Sequence, residues 1–148
     1  MDRLRVLTLN IWNRQGPWAE RLALIRHGIA ARDFNAEPDS DEMRFLRGLT
    51  PIDGVSVYFA DCWLHTTGQD PGAGFGFTYD RRNGFAARSH EPSRRIDYVY
   101  VRGPDRQLRG EPLSARVVFD EPRGEVWPSD HHGVLAEIQA APQPIGPY

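Results

Sequence analysis

Side chains that could act on a phosphate ester lie in three short segments of the chain. Asp33 and Asn35 stand two positions apart, Asp97 opens an apolar run, and Asp130 directly precedes His131. Carboxylates can bind a hard cation or orient a water, an amide can donate to a phosphate oxygen, and an imidazole can transfer a proton. Together these groups suit metal-assisted hydrolysis of a phosphate ester.

Two of these segments also have an ordinary structural explanation. Asp33 and Asn35 could belong to an Asx-rich turn. Asp130 and His131 could form a polar turn before the apolar run at 133–138. Each segment is therefore weak evidence alone, and only their combination favours chemistry.

Asp97 lies on an apolar face of a predicted strand. Alternation along 96–101 places its carboxylate on the same side as two valines. A buried ionised carboxylate must be paired, so either an Arg salt bridge, to Arg94 or Arg95, or a hydrogen bond to His131 is expected. We favour His131, which Asp97 would then orient.

The elements that must position these residues are helices early in the chain and strands late. Residues 4–11 carry apolar side chains on both faces, which predicts a central strand covered on each side. Pro17 is well placed to start a helix with an apolar stripe ending at Ile29. A loop is predicted next, over 33–38. The capping-box pattern at 39–42 then predicts a second, shorter helix.

The remaining apolar runs predict strands, because turn-rich segments separate them. They are Val55–Phe59, Phe75–Tyr79, Ile96–Val101, Ala115–Phe119 and Val134–Ile138. Gly72, Gly74 and Gly76 precede a strand-like run rather than a helix, so we interpret them as a flexible loop and not a phosphate-binding loop.

Length and composition fit one intracellular domain. The 148 residues predict a single domain over residues 1–139 and a mobile, proline-rich tail over 140–148. Every basic residue other than His is Arg, which suits phosphate but also follows from coding bias. Cys62 is the single cysteine, which excludes a thiolate-rich zinc site. The amino terminus resembles neither a signal peptide nor a membrane span, so a cytoplasmic protein is expected.

Five short segments occur in an order typical of one protein family. They are Leu7–Asn13, Asp33–Pro38, Gly76–Tyr79, Arg95–Val99 and Ser129–Val134. Together they resemble the endonuclease/exonuclease/phosphatase superfamily, which has the pancreatic-deoxyribonuclease-like fold. The resemblance spans nearly the whole chain and implies hydrolysis of phosphate esters with a divalent cation, usually Mg²⁺.

The resemblance also implies a role for each matching residue. Asp33 would align or activate the attacking water, and Asn35 would hold a nonbridging phosphate oxygen. His131, held by Asp97, would stabilise the pentacovalent phosphate. The metal region would take Asn10 and Asp130.

The chain departs from the family pattern between its first helix and the Asp-Phe-Asn loop. Residues 28–32 lead directly into Asp33, so we expect the principal metal-binding Glu, a second catalytic His and the strand before that loop to be absent. Arg32 stands where the family usually has Gly. Loss of an anionic ligand weakens a hard-cation site, so Mg²⁺ or Mn²⁺ is expected to bind weakly if at all.

These observations predict an α+β protein, an abbreviated four-layer α/β sandwich of two mixed β-sheets flanked by helices. The predicted function is metal-dependent hydrolysis of a phosphate ester, of nuclease or phosphodiesterase type, impaired by loss of the Glu. The alternative is a catalytically inactive remnant that binds phosphate or nucleic acid, or has no independent function. The sequence does not distinguish DNA, RNA, inositol phosphates and phospholipids as substrates, and it leaves the oligomeric state open.

Overall fold

The computed structural model describes residues 2–8, 30–68, 74–122, 124 and 126–144, with residues 30–33 described by their backbone. The helix predicted from Pro17, the candidate ligand Asn10 and the end of the predicted tail lie outside the described residues. Among the described helices, none is both long and apolar enough to cross a membrane.

The described chain forms an α+β sandwich of two antiparallel sheets with short helices. One sheet has the order β1-β6-β5 and the other the order β2-β4-β3. The α+β class is confirmed, although each described strand pairing is antiparallel rather than mixed. The elements are β1 (Arg3–Thr8), β2 (Ala30–Asp33), α1 (Asp41–Leu46), β3 (Ala60–Asp61), α2 (Cys62–Thr67), a 3-10 helix (Ala86–Ser89), β4 (Asp97–Val101), β5 (Pro112–Val118) and β6 (Gly133–Gln139).

Strand β4 is the centre of the molecule, because both of its faces are covered. Val99 and Val101 pack with the inward residues of β6 to form the core between the sheets. Tyr98 and Tyr100 point the other way and pack under Met43 of α1. All five residues of β4 are buried, which explains why this strand carries an unbroken apolar run apart from Asp97.

Strand β1 was predicted to be central, and among the described strands it has one neighbour, β6. It therefore lies at the end of the described part of its sheet. Leu4 and Leu7 are 44% and 47% exposed. Apolar residues on both faces of a strand therefore did not signal burial on both faces here.

Strand β2 corrects a second expectation. A strand before the Asp-Phe-Asn loop was expected to be absent, yet Ala30–Asp33 pairs with β4 in antiparallel register. Its short Ala-Ala-Arg-Asp sequence carries little strand signal, and pairing with the buried β4 is what makes it a strand. The shortened chain therefore keeps the element that leads into this loop.

Two of the predicted strands are irregular segments instead. Val55 makes a single bridge with Ile52, and Tyr79 makes a single bridge with Arg94. Neither the run at 55–59 nor that at 75–79 has a continuous ladder. Aromatic and β-branched composition alone overstated strand content here.

The short helix predicted after the loop forms as α1. Ser40 occupies its N-cap position without a side-chain capping bond, so the predicted capping box does not form. The helix ends at Leu46, and Gly48 follows with a φ of +74°. A left-handed residue just past the last turn commonly terminates a helix, which explains why α1 ends here.

Candidate active site

A buried carboxylate–imidazole pair lies at the centre of the candidate site. Nδ1 of His131 is 2.9 Å from Oδ2 of Asp97, and the two side chains are 7% and 1% exposed. Asp97 is the first residue of β4, and His131 lies two residues before β6. The predicted hydrogen bond is confirmed, and the alternative of an Arg salt bridge is wrong, since Arg95 pairs with Asp61 and Arg94 with Glu91.

Thr78 fixes the backbone that carries Asp97. Its hydroxyl accepts the backbone N–H of Ile96 at 3.1 Å and that of Asp97 at 3.0 Å. Thr78 is fully buried, so these donors have little access to water. This hydroxyl thus replaces the partner strand that the two donors would otherwise need.

Gly76 allows the chain to reach Thr78. Its φ of +65° is in the left-handed region, and a Cβ at this position would overlap the ring of Trp63. A larger residue would therefore push the segment at 76–78 away from α2.

The turn that carries His131 is held from two sides. Asn83 is fully buried, and its Nδ2 donates to the carbonyl of Ser129 at 2.7 Å. The ring of Tyr79 meets the imidazole of His131 edge to face, with centroids 5.2 Å apart. The position of the imidazole is therefore fixed by packing as well as by Asp97.

His132, the next residue, has a structural place. It is fully buried, its backbone N–H donates to the carbonyl of Thr78 at 2.6 Å, and its ring stacks on Trp127 with centroids 5.7 Å apart. Burial lowers the pKa of His132. The backbone hydrogen bond from His132 ties the chain just before β6 to Thr78, the residue that holds the backbone of Asp97.

The loop after β2 brings the other predicted residues beside Asp97. Asp33 lies opposite Asp97 in the antiparallel register, and the N–H of Phe34 donates to the carbonyl of Ile96 at 3.0 Å. Asn35 follows in a left-handed conformation, with a φ of 48°, and is exposed. The structure thus brings Asp33 and Asp97 to neighbouring backbone positions.

An acidic cavity lies next to this loop. It has a volume of about 630 Å³, and Asn35 forms part of its wall. Glu37, Asp39 and Glu42 also line it. The carboxylate of Asp130 lies elsewhere, half-buried in the His131 turn, where it accepts a hydrogen bond from the Ser129 hydroxyl at 3.1 Å.

The family assignment rests on a match to the model of the Endonuclease/Exonuclease/phosphatase family over residues 29–131. The chain belongs to this family. The match begins just before β2 and ends at His131, so it includes Asp33, Asn35 and Asp97. No curated protein and no solved structure gave a significant match to the chain.

Endonuclease/exonuclease/phosphatase enzymes commonly use divalent metals, and the described residues were tested for such a site. No group of three or more His, Cys, Asp or Glu side chains among them could hold a metal ion. Asn10 and the side chain of Asp33 lie outside what the structure describes. The residues that the structure describes therefore do not form a metal-binding cluster of this kind by themselves.

Sequence reasoning missed two residues that organise this family site. The role of Asn83 depends on a contact with Ser129, 46 positions along the chain. Asp61 forms a buried ion pair with Arg95 at 2.8 Å and also accepts the N–H of Trp63, which starts α2. Neither Asn83 nor Asp61 was predicted from the sequence. The one signal that each of them offered was an Asn or Asp placed shortly before a helix.

Proposed function

We propose that this chain hydrolyses phosphate esters, with His131 and Asp97 as its central catalytic pair. The observation that carries the proposal is the buried hydrogen bond between Nδ1 of His131 and Oδ2 of Asp97. That pair lies within the segment that matches the Endonuclease/Exonuclease/phosphatase family, and Asp33 stands opposite Asp97 in the sheet.

Asp97 gives the imidazole its orientation and its charge preference. Its carboxylate accepts a hydrogen bond from Nδ1–H, so Nε2 is the nitrogen that acts on the substrate. A buried anion favours the imidazolium as negative charge builds up on the phosphoryl oxygens. His131 thereby stabilises the pentacovalent phosphate, which is the larger part of its proposed contribution.

The loop after β2 supplies the proposed water-handling and phosphate-holding groups. Asp33 would orient and deprotonate the attacking water, and Asn35 would donate to a nonbridging oxygen without adding negative charge. The register that sets Asp33 opposite Asp97 supports assigning both residues to one site.

Dependence on Mg²⁺ or Mn²⁺ is also part of the proposal. It rests on the family, with Asn10 and Asp130 as the proposed ligands. A bound cation would offset the charge of the phosphate. Weak binding is expected, because Asp130 is half-buried and its Oδ1 already accepts a hydrogen bond from Ser129.

The test is hydrolysis of bis(p-nitrophenyl) phosphate and of plasmid DNA, each with EDTA, Mg²⁺ or Mn²⁺. Asp33→Ala and His131→Ala are the catalytic variants, and Arg106→Ala is an exposed control on the loop between β4 and β5. Turnover by the wild type and by the control, lost in both catalytic variants, supports the proposal. Wild-type turnover no higher than that of the catalytic variants overturns it in favour of an inactive, phosphate-binding remnant.

A further inference from the structure

An exposed phenyl ring and a guanidinium lie together in a segment that is linked to the His131 turn through Asn83 and Tyr79. Phe85 directly precedes the 3-10 helix and is 43% exposed. The guanidinium carbon of Arg88 is 5.7 Å from the centroid of the Phe85 ring. Within the described parts of the chain Arg88 makes no ion pair.

Two buried side chains tie this Phe85–Arg88 pair to His131. Oδ1 of Asn83 accepts the N–H of Phe85 at 2.9 Å, while its Nδ2 donates to the carbonyl of Ser129 in the His131 turn. The hydroxyl of Tyr79 donates to the carbonyl of Ala86 at 3.2 Å, and the same ring packs against the imidazole. The pair is therefore positioned by the same residues that position His131.

The segment that carries the pair has a local excess of positive charge. Residues 80–95 include five arginines but only Asp80 and Glu91 as acids, in a chain whose net charge is −2. Arg82, Arg94 and Arg95 are each ion-paired. Arg81 and Arg88 remain without an acidic partner in the described residues, and both are exposed.

We propose that Phe85 and Arg88 form a subsite for single-stranded nucleic acid. Phe85 stacks under one base, and Arg88 contacts the adjacent phosphate, which presents the next phosphodiester to His131. An aromatic ring combined with an arginine in a basic segment is how proteins hold single strands without reading their sequence. The substrate class rests on the proposed hydrolytic function, whereas binding at the subsite does not depend on turnover.

Two other phosphate-bearing partners fit these residues less well. Bases in a duplex are already stacked on one another, so a lone exposed ring offers them little. Insertion into a lipid surface uses several large apolar side chains. In residues 81–90 Phe85 is the one large apolar residue, among arginines and small polar residues.

The test is fluorescence anisotropy with a fluorescein-labelled twelve-residue oligothymidylate, in EDTA so that no cleavage occurs. Phe85→Leu keeps an apolar side chain but removes the stacking face, and Phe85→Trp keeps that face. Arg88→Ala removes the guanidinium. Tyr58→Ala and Arg106→Ala are the matched controls, because both residues are exposed and lie in segments distant in sequence from 80–95.

The proposal predicts that Phe85→Leu weakens binding roughly five- to hundredfold while Phe85→Trp and both controls retain it. Arg88→Ala should lower the dependence of log K on log salt concentration by about 0.7. Wild-type affinity in Phe85→Leu, tighter binding of a duplex of the same length, or competition by phosphatidylcholine–phosphatidylserine vesicles but not by unlabelled oligothymidylate would each overturn it.

Failure of the subsite and failure of catalysis give different results. Loss of bis(p-nitrophenyl) phosphate turnover with intact oligothymidylate binding would overturn the hydrolytic function alone. Turnover of that small ester without oligothymidylate binding would overturn the subsite alone, because the ester carries no nucleobase.

Discussion

The two halves of the candidate site differ in what holds their side chains in place. In the histidine half, Asp97 and His131 are buried and are fixed by Thr78, Asn83 and Tyr79. In the loop half, the backbone register of β2 with β4 positions residues 33–35, and Asn35 is exposed beside an acidic cavity.

Substitutions in the two halves should therefore affect folding and turnover differently. Residues of the histidine half are part of the core, so substitutions there should change both folding and turnover. Residues exposed in the loop half should change turnover with little effect on folding. The predictions below test that contrast, beginning with the largest effect.

Asp97→Asn should lower turnover of bis(p-nitrophenyl) phosphate about 10²- to 10⁴-fold, because an amide cannot stabilise the imidazolium and favours the wrong tautomer of His131. Steady-state kinetics on folded protein, checked by circular dichroism, measures this effect. Asp53→Asn is the control, since Asp53 is exposed and its φ of 50° suits Asn equally well. Equal turnover in the two variants would remove Asp97 from the mechanism.

Thr78→Val should lower the free energy of unfolding by about 1–3 kcal/mol, because the backbone N–H groups of Ile96 and Asp97 would lose their acceptor inside the protein. Urea unfolding measures it. Thr66→Val is the matched control, because that hydroxyl accepts no backbone N–H from the described residues and donates to the carbonyls of Cys62 and Trp63 within the same helix turn. An unfolding free energy unchanged in Thr78→Val would contradict the buried anchor described for the histidine half.

The pH dependence of stability should include a contribution from Asp80, which directly follows Tyr79 of the histidine half. Although burial opposes its ionisation, hydrogen bonds from the backbone and side chain of Arg82 hold the pKa of Asp80 below its usual value. The folded state therefore binds this proton less readily than the unfolded state, in which the carboxyl has a pKa of about 3.9. The stabilisation is present above about pH 4 and is lost as pH falls through the lower folded pKa.

Urea midpoints measured from pH 7 to pH 2.5 test this sign. Below about pH 4, the urea midpoint of Asp80→Asn should fall less steeply than that of the wild type. Parallel curves for the two proteins would mean that Asp80 carries no such stabilisation.

Asn35→Gly should have the smallest effect on folding, within about 0.5 kcal/mol, because Gly tolerates the left-handed conformation and the side chain is exposed. Turnover should nevertheless fall if Asn35 holds a phosphate oxygen. Thermal unfolding and kinetics on the same sample separate the two effects. A stability loss as large as that of Thr78→Val would erase the contrast between the two halves.

The sequence predicted the elements whose pattern is local and strong. Alternation along β4 placed Asp97 on an apolar face, and the need to pair its charge led to His131, which the structure confirms. Strands β5 and β6 were also predicted, within a few residues of their observed bounds. These predictions succeed because a buried strand leaves a local mark on the sequence, a short apolar run bounded by turn residues.

Other parts of the site depend on contacts that local patterns do not encode. Thr78 acts on backbone groups 18 and 19 positions away, and Asn83 acts on Ser129, 46 positions away. The strand character of β2 comes from its pairing with β4 rather than from its own residues. Long-range partners therefore decided what the residues of these segments do.

The central claim, that the His131–Asp97 pair acts on a phosphate ester, is tested most directly by the ratio of the turnover number of the wild type to that of His131→Ala on bis(p-nitrophenyl) phosphate. Both proteins should be measured at equal folded concentration and saturating Mg²⁺. The account predicts a ratio of about 10² or more. A ratio of one would contradict it.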